Sequence, residues 1–168
     1  MLSSASEFET MVRAYSGDVY RFCYWICRDR NAAEDLTQET FAHAWAGWRS
    51  IRDQKAAKSW LFTIARNEHA RLYAKKRVEI DPEQELEEVA AAYESTAHSR
   101  LEIEQMFGLL PLGFREPMLL QVLGGFSCAE IAEIMAISEA AVMMRLTRAR
   151  QGLRKMLGAE LELKRGTK

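Results

Sequence analysis

The chain has 168 residues, 48% of them hydrophobic and 28% charged, a composition that fits a folded globular protein and excludes a disordered one. No apolar run approaches the roughly 20 residues that span a bilayer, and the N-terminus lacks the basic and apolar parts of a secretory signal. Three cysteines in such a chain argue against a disulfide framework, so we expect a cytoplasmic protein.

The net charge of −1 conceals a strong segregation of charge along the chain. Residues 51–78 carry 8 basic and 2 acidic side chains, residues 79–106 carry 1 and 9, and residues 107–168 carry 9 and 6. Two basic blocks around an acidic one suggest two surfaces that bind polyanions. Solvated helix faces are the alternative explanation of the same pattern.

The first part of the chain reads as three helices. Apolar residues at helical spacing predict a helix over residues 7–27, and a second from an N-cap at Asn31 to about Trp48. A third is predicted from near Ser59 to about Arg77. Together they would form a bundle of about 70 residues, close to the lower size limit for an independent core.

The next segment, from Glu79 to about Ser99, is rich in acidic and small residues and contains Pro82. Such a composition buries little apolar surface, which predicts a mobile tether. A second helical unit follows from Leu101 to Leu157. The predicted fold is therefore all-α, with two small helical domains, 1–78 and 101–168, joined by an acidic linker at 79–100.

The second unit contains a helix-turn-helix pattern. Ser127 and Glu130 form a capping box, a tight turn falls at Ala136, and Ser138 can cap a second helix with Val142 on its inner side. The second helix of this motif enters the major groove. Its outer face and flank would contact DNA through Met144, Arg145, Thr147, Arg148, Gln151 and Lys155. A helix pair with a solvated basic face is the alternative.

The first unit offers two further candidate surfaces. Basic, amide and aromatic groups on the third helix and the loop before it suit a nucleic-acid backbone with unstacked bases: Arg52, Lys55, Lys58, Trp60, Arg66, Asn67 and Arg77. The second helix has a compact outer face with Asp35, Gln38 and Glu39, which suits a basic protein partner. Taken alone, each surface is equally compatible with an ordinary solvated helix.

Catalytic and metal chemistry find little support in the sequence. Cys23 and Cys27 lie four residues apart, but no histidine stands at ligand spacing, so we interpret them as buried apolar side chains. The four tryptophans, Trp25, Trp45, Trp48 and Trp60, are expected to anchor the core. No phosphate-binding loop or nucleophile motif is present, and we expect no cofactor, no metal and no enzymatic activity.

Three segments resemble one known family in the order in which that family has them. Residues 33–41 (AEDLTQETF) resemble the polymerase-clamp-binding helix in region two of extracytoplasmic-function sigma factors, and residues 60–67 (WLFTIARN) resemble the helix that reads and opens the −10 promoter element. Residues 110–116 (LPLGFRE) and the helix-turn-helix ending at 145–150 (RLTRAR) resemble region four, which binds the −35 element.

The resemblance implies a transcription-initiation factor whose partners are bacterial core RNA polymerase, promoter DNA and an anti-sigma factor, with no small-molecule substrate and no membrane insertion. The outer face of the second helix would dock on the polymerase clamp. The third helix and the 49–58 loop would hold the non-template strand, and the helix-turn-helix would meet the −35 duplex.

The chain departs from the family pattern at several positions. Ala136 stands where the family usually has Gly, Met143 and Met144 stand where it commonly has Lys and Ser, and Glu68 stands where it usually has an apolar residue. We therefore expect an unusual −35 preference and an unusual packing at Glu68. Two alternatives remain: a sigma-like decoy that sequesters an anti-sigma factor without binding DNA, and an ordinary helix-turn-helix repressor.

Overall fold

A computed structural model of the chain describes residues 4–73, 81–95 and 103–166. Within these ranges it contains eight α-helices, two short 3₁₀ turns and no β-strand, which confirms the predicted all-α class. None of the described helices has the length and apolar character needed to cross a bilayer. The helices are α1 (Ser4–Cys27), α2 (Arg30–Gly47), α3 (Ala57–Tyr73), α4 (Pro82–Ser95), α5 (Ile103–Leu109), α6 (Leu112–Val122), α7 (Cys128–Met135) and α8 (Glu139–Gly166).

Helices α1, α2 and α3 pack around a common apolar core. Its centre is fully buried and consists of Val19, Phe22, Leu36, Leu61 and Phe62. Helix α2 begins at Arg30, because the Asp29 carboxylate accepts a hydrogen bond of 2.8 Å from the backbone N–H of Ala32. The predicted N-cap at Asn31 was therefore wrong by two residues, and Asn31 lies in the first turn of the helix.

Helices α5 to α8 form the second group, and the predicted helix-turn-helix lies within it. Ser127 Oγ accepts from the Glu130 N–H at 3.2 Å and Glu130 Oε2 accepts from the Ser127 N–H at 2.7 Å, which confirms the capping box. Ser138 Oγ accepts from the Ala141 N–H at 3.1 Å and so caps α8 as predicted. Gly125 supplies a positive φ of 69° in the turn that separates α6 from α7.

The acidic segment contains a packed helix. Residues Pro82–Ser95 form α4, whose Leu86 and Ala90 are buried against the second group of helices. The prediction of a mobile tether was wrong for this range, because α8 supplies the apolar surface that the segment itself lacks. Local composition predicts whether a segment can fold alone, and it says nothing about a partner elsewhere in the chain.

The two groups of helices also pack directly on each other. The Phe62 and Phe126 rings lie 5.1 Å apart edge to face, and those of Trp25 and Phe107 lie 5.5 Å apart in the same manner. Arg115, on α6, donates hydrogen bonds to the backbone oxygens of Gly108 at 2.7 Å and, across the junction, of Ile26 at 3.2 Å. One continuous core therefore joins the N-terminal and C-terminal helices.

Candidate nucleic-acid interface

The exposed side of α8 brings together most of the side chains predicted to contact a duplex. Met144 is 54% exposed, and Thr147, Arg148, Gln151 and Lys155 are exposed along the same helix. Arg145, the remaining residue of the predicted set, is half-buried and donates a long hydrogen bond of 3.4 Å to the Gly113 carbonyl. The result is a mixed apolar and basic surface on a helix long enough to lie in a major groove.

The inner side of α8 fixes this surface on the helix-turn-helix. Val142, Leu146, Ala149 and Met156 are buried against the neighbouring helices. The turn that sets the angle between α7 and α8 is made by Ala136, whose φ of 53° and ψ of 44° lie in the left-handed region. A residue with a Cβ adopts this conformation at a cost that glycine avoids.

The predicted nucleic-acid contacts on α3 divide into exposed and paired side chains. Asn67 is exposed, whereas Arg66 Nε lies 2.7 Å from Glu116 Oε1 on α6. Lys58 Nζ donates to the Gly124 carbonyl at 2.6 Å and stands 5.5 Å from the Phe126 ring centre. Two of the predicted contacts with nucleic acid are therefore engaged by the C-terminal helices in this conformation.

The other predicted residues of this surface lie around the start of α3. Arg52 and Lys55 are exposed in the segment that connects α2 to α3. Trp60 is half-buried, and its ring packs close to the end of α2. A Cβ added at Gly47 would lie only 3.0 Å from Trp60 Cζ2. Arg77 lies outside the described residues. The exposed part of the surface is thus small and basic.

The outer face of α2 carries Asp35, Gln38 and Glu39 in exposed positions, as predicted. The same helix also exposes Trp45, which is 53% accessible and packs edge to face with Phe8 at 4.9 Å. The expectation that Trp45 anchors the core was wrong. The signal was available, because a residue seven positions after Gln38 shares its helix face.

The buried carboxylate of Glu68 is satisfied by two neighbours. Glu68 Oε2 accepts from Arg71 Nε at 3.0 Å and Nη2 at 2.7 Å, and Oε1 lies 3.4 Å from His43 Nε2. The bond to Glu68 raises the pKa of Arg71. Glu39, His43 and Glu68 bring one ligand atom each within 4.8 Å of one another, but Arg71 already pairs with Glu68. We interpret the group as an ion-pair network, which explains how a charged residue is accommodated at this position.

The cysteines are free thiols and two of them are shielded. Burial raises the pKa of the Cys23 thiol to about 12 and that of Cys27 to about 11. Because the thiolate is the reactive form, both side chains are chemically quiet near neutral pH. They fill space between α1 and its neighbours in the bundle.

Comparison with known proteins places this geometry in a family. The family model described as Sigma-70 region 2 matches residues 11–78, and the model described as Sigma-70, region 4 matches residues 100–153. The first match covers α1 from Met11 onwards, α2 and α3, and the second covers α5 to the middle of α8. The candidate residues on α2, α3 and the segment before α3 therefore fall within the first match, and those on α8 up to Gln151 fall within the second.

Curated relatives match over nearly their full length. The chain is 35% identical over 152 residues to the ECF RNA polymerase sigma factor SigM of Bacillus subtilis (strain 168), covering 87% of this chain and 92% of that protein. It is 28% identical over 169 residues to the ECF RNA polymerase sigma factor SigW of the same organism, covering 89% of this chain and 88% of that protein.

Two solved structures share the fold. One is the sigma factor RpoE in complex with the anti-sigma factor NepR from Bartonella quintana, with a TM-score of 0.71, 25% identity, and coverage of 90% of this chain and 96% of that one. The other is CnrH in complex with the cytosolic domain of CnrY, with a TM-score of 0.65, 26% identity, and coverage of 91% and 88%. With two helical groups that match sigma regions two and four in order, the chain belongs to the extracytoplasmic-function (ECF) family of RNA polymerase sigma factors.

Proposed function

We propose that this sigma factor directs transcription initiation through three surfaces of one chain: the outer face of α2 for core polymerase, the basic side of α3 for the −10 element, and α8 for the −35 element. The observation that carries the proposal is the capped helix-turn-helix, which leaves the mixed apolar and basic side of α8 exposed. We assign residues 1–78 to region two, 79–100 to the linker and 101–168 to region four.

In the −35 complex, Arg148 and Lys155 contact phosphates or acceptor groups on base edges, and Gln151 lies between them. Thymine methyl groups are the natural partners of Met144, because a thioether side chain offers dispersion contact and no hydrogen-bond donor. Thr147 adds a methyl group to the same part of the helix. Arg145 keeps its hydrogen bond to the Gly113 carbonyl and contacts the DNA backbone at the edge of the site.

In the −10 complex, Arg66, Asn67 and Lys58 hold the displaced non-template strand. Arg52 and Lys55 extend this surface across the segment before α3, where both side chains are exposed. Trp60 supports the start of the helix, and Arg77, four positions after Tyr73 in the sequence, adds positive charge. These contacts are mostly to phosphates, so the complex weakens steeply with salt.

For polymerase binding, Asp35, Gln38 and Glu39 present acceptors to a basic surface on the clamp. The exposed Trp45 extends this face with a large apolar contact, of the kind that carries much of the energy in protein interfaces. The chain itself performs no chemistry, since RNA synthesis belongs to the polymerase. It acts in the cytoplasm, where the bacterial polymerase works.

An anti-sigma factor is proposed as a further partner. One of the solved structures named above is a sigma factor, RpoE, in complex with the anti-sigma factor NepR. Co-purification from cells under non-inducing conditions tests this part: a stoichiometric second protein supports it, and its repeated absence contradicts it.

The main experiment is in vitro transcription with the purified chain, bacterial core polymerase and a randomised promoter library, followed by transcript sequencing. Initiation that depends on the chain and selects a shared two-part motif supports the proposal. If the chain neither initiates transcription nor binds core polymerase, the decoy alternative replaces it.

Matched variants assign the surfaces. Arg148→Ala should reduce initiation about tenfold or more and relax the −35 motif, because a specific DNA contact is worth about 1–3 kcal/mol. Arg13→Ala removes the same charge from an exposed position on α1 and should leave initiation unchanged. Equal losses for the two variants would reject the assignment of α8.

A further inference from the structure

The acidic helix α4 lies against the DNA-binding side of α8. Leu86 is 8% exposed and packs over Gly152, where an added Cβ would lie 2.8 Å from Leu86 Cδ1. A glycine at this point lets the two helices approach more closely than any other residue would allow. The two helices are therefore closely packed at this contact, which buries apolar residues of an otherwise strongly charged segment.

The charged groups at this contact are complementary. Glu83 Oε1 lies 2.8 Å from Arg148 Nε. Glu87, Gln151 and Lys155 line the same junction. Carboxylates thus occupy the surroundings of the basic side chains that a DNA phosphate would otherwise enter, as expected for a segment with excess negative charge.

The first part of α8 is left uncovered. Met143 and Met144 are 51% and 54% exposed. A duplex lying along α8 would meet Met144 freely, whereas Arg148 and Lys155, although partly exposed, stand beside the carboxylates of α4. The uncovered methionines are not sufficient for binding, because most of the affinity for a duplex comes from phosphate contacts.

We propose that α4 is an intramolecular competitor for the −35 duplex, and that the isolated chain binds DNA only when α4 leaves α8. The inference rests on the proposed function, since it takes α8 as the surface that binds the duplex. Binding and closure exclude each other, so the affinity measured for the free chain is the intrinsic affinity reduced by the open fraction.

The contacts at α3 act in the same direction. The ion pair between Arg66 and Glu116 and the hydrogen bond from Lys58 to Gly124 engage two −10 residues within the chain. The same conformation therefore occupies residues at both DNA-binding surfaces. A chain in this state would not be sequestered by non-specific binding to genomic DNA before it binds polymerase.

The test measures binding of the full-length chain, without polymerase, to a short fluorescent duplex of mixed sequence by anisotropy at several salt concentrations. Leu86→Ala removes the apolar contact without changing the net charge, and should tighten binding on the order of tenfold. Glu83→Gln removes the ion pair and should tighten it about threefold. Glu88→Gln removes an equal charge from an exposed position outside the contact, and reports the effect of charge alone.

Binding by Leu86→Ala and Glu83→Gln that is no tighter than binding by Glu88→Gln would overturn the proposal. Because the assay omits polymerase, its result is separate from that of the transcription experiment. Tighter DNA binding by the variants together with absent initiation would reject the proposed sigma function and support the competition between α4 and DNA. Normal initiation together with unchanged DNA binding would support the sigma function and reject the competition. Circular dichroism of each variant verifies that any loss of helix content does not exceed the 14 residues of α4.

Discussion

Replacing Ala136 with glycine should stabilise the protein, although most core or turn substitutions destabilise. Ala136 holds a left-handed conformation, with a φ of 53° and a ψ of 44°, at the end of α7. This conformation costs an L-residue with a Cβ about 1–2 kcal/mol. Glycine removes that cost but gains freedom in the unfolded chain, which subtracts roughly 0.4–1 kcal/mol. The expected net gain in the free energy of unfolding is about 0.5–1 kcal/mol.

The assay is urea unfolding followed by circular dichroism, with Ala42→Gly as the matched control. Ala42 is exposed in the interior of α2, so the same change there should lower the free energy of unfolding by about 1 kcal/mol. The two variants share their chemistry and differ only in backbone conformation. If Ala136→Gly destabilises the protein as Ala42→Gly does, the explanation of this turn as a strained one is wrong.

Three further outcomes are expected. Phe62→Ala, which removes a ring packed 5.2 Å from Phe22 and 5.1 Å from Phe126, should lower the free energy of unfolding by about 3–5 kcal/mol in urea titration, and a loss below about 1 kcal/mol would contradict this packing. Ser127→Ala should cost about 1 kcal/mol in the same assay, because it removes half of the capping box; no loss would mean that the cap contributes nothing. Since its pKa is raised from 9.0 to about 12, the Cys23 thiolate is about a thousandfold scarcer at pH 8 than that of a free cysteine, and mass spectrometry should find Cys23 unalkylated by iodoacetamide until the protein is unfolded. Rapid alkylation of the native protein at Cys23 would contradict its burial.

The sequence predicted best what depends on local chemistry. The capping box of Ser127 and Glu130 and the cap at Ser138 could be identified because their donors and acceptors lie within four residues of each other. The buried stripe of α8 could be read from helical spacing alone. The exposed face opposite the stripe followed from the same periodicity, and so did most of the residues that now form one surface.

The sequence could not predict what depends on distant partners. The pairing of Arg66 with Glu116 joins residues fifty positions apart, and no periodicity in either helix encodes it. The same holds for α4, whose buried Leu86 needs Gly152 opposite it. Asp29 was missed as a cap because Asn31 is an equally suitable residue type, and only the backbone distinguishes two good candidates two residues apart.

The continuous core between the two groups of helices has a consequence for the synthesis of the protein. Trp25 and Phe62 leave the ribosome well before their partners Phe107 and Phe126. At about 5–20 residues per second, the fifty or so residues that separate Tyr73 from Phe126 take roughly 3–10 s to translate. During this interval the newly folded first bundle presents an uncovered aromatic face to the cell. Truncated chains that end within the linker keep that face permanently, and they should be the forms that chaperones retain and proteases remove.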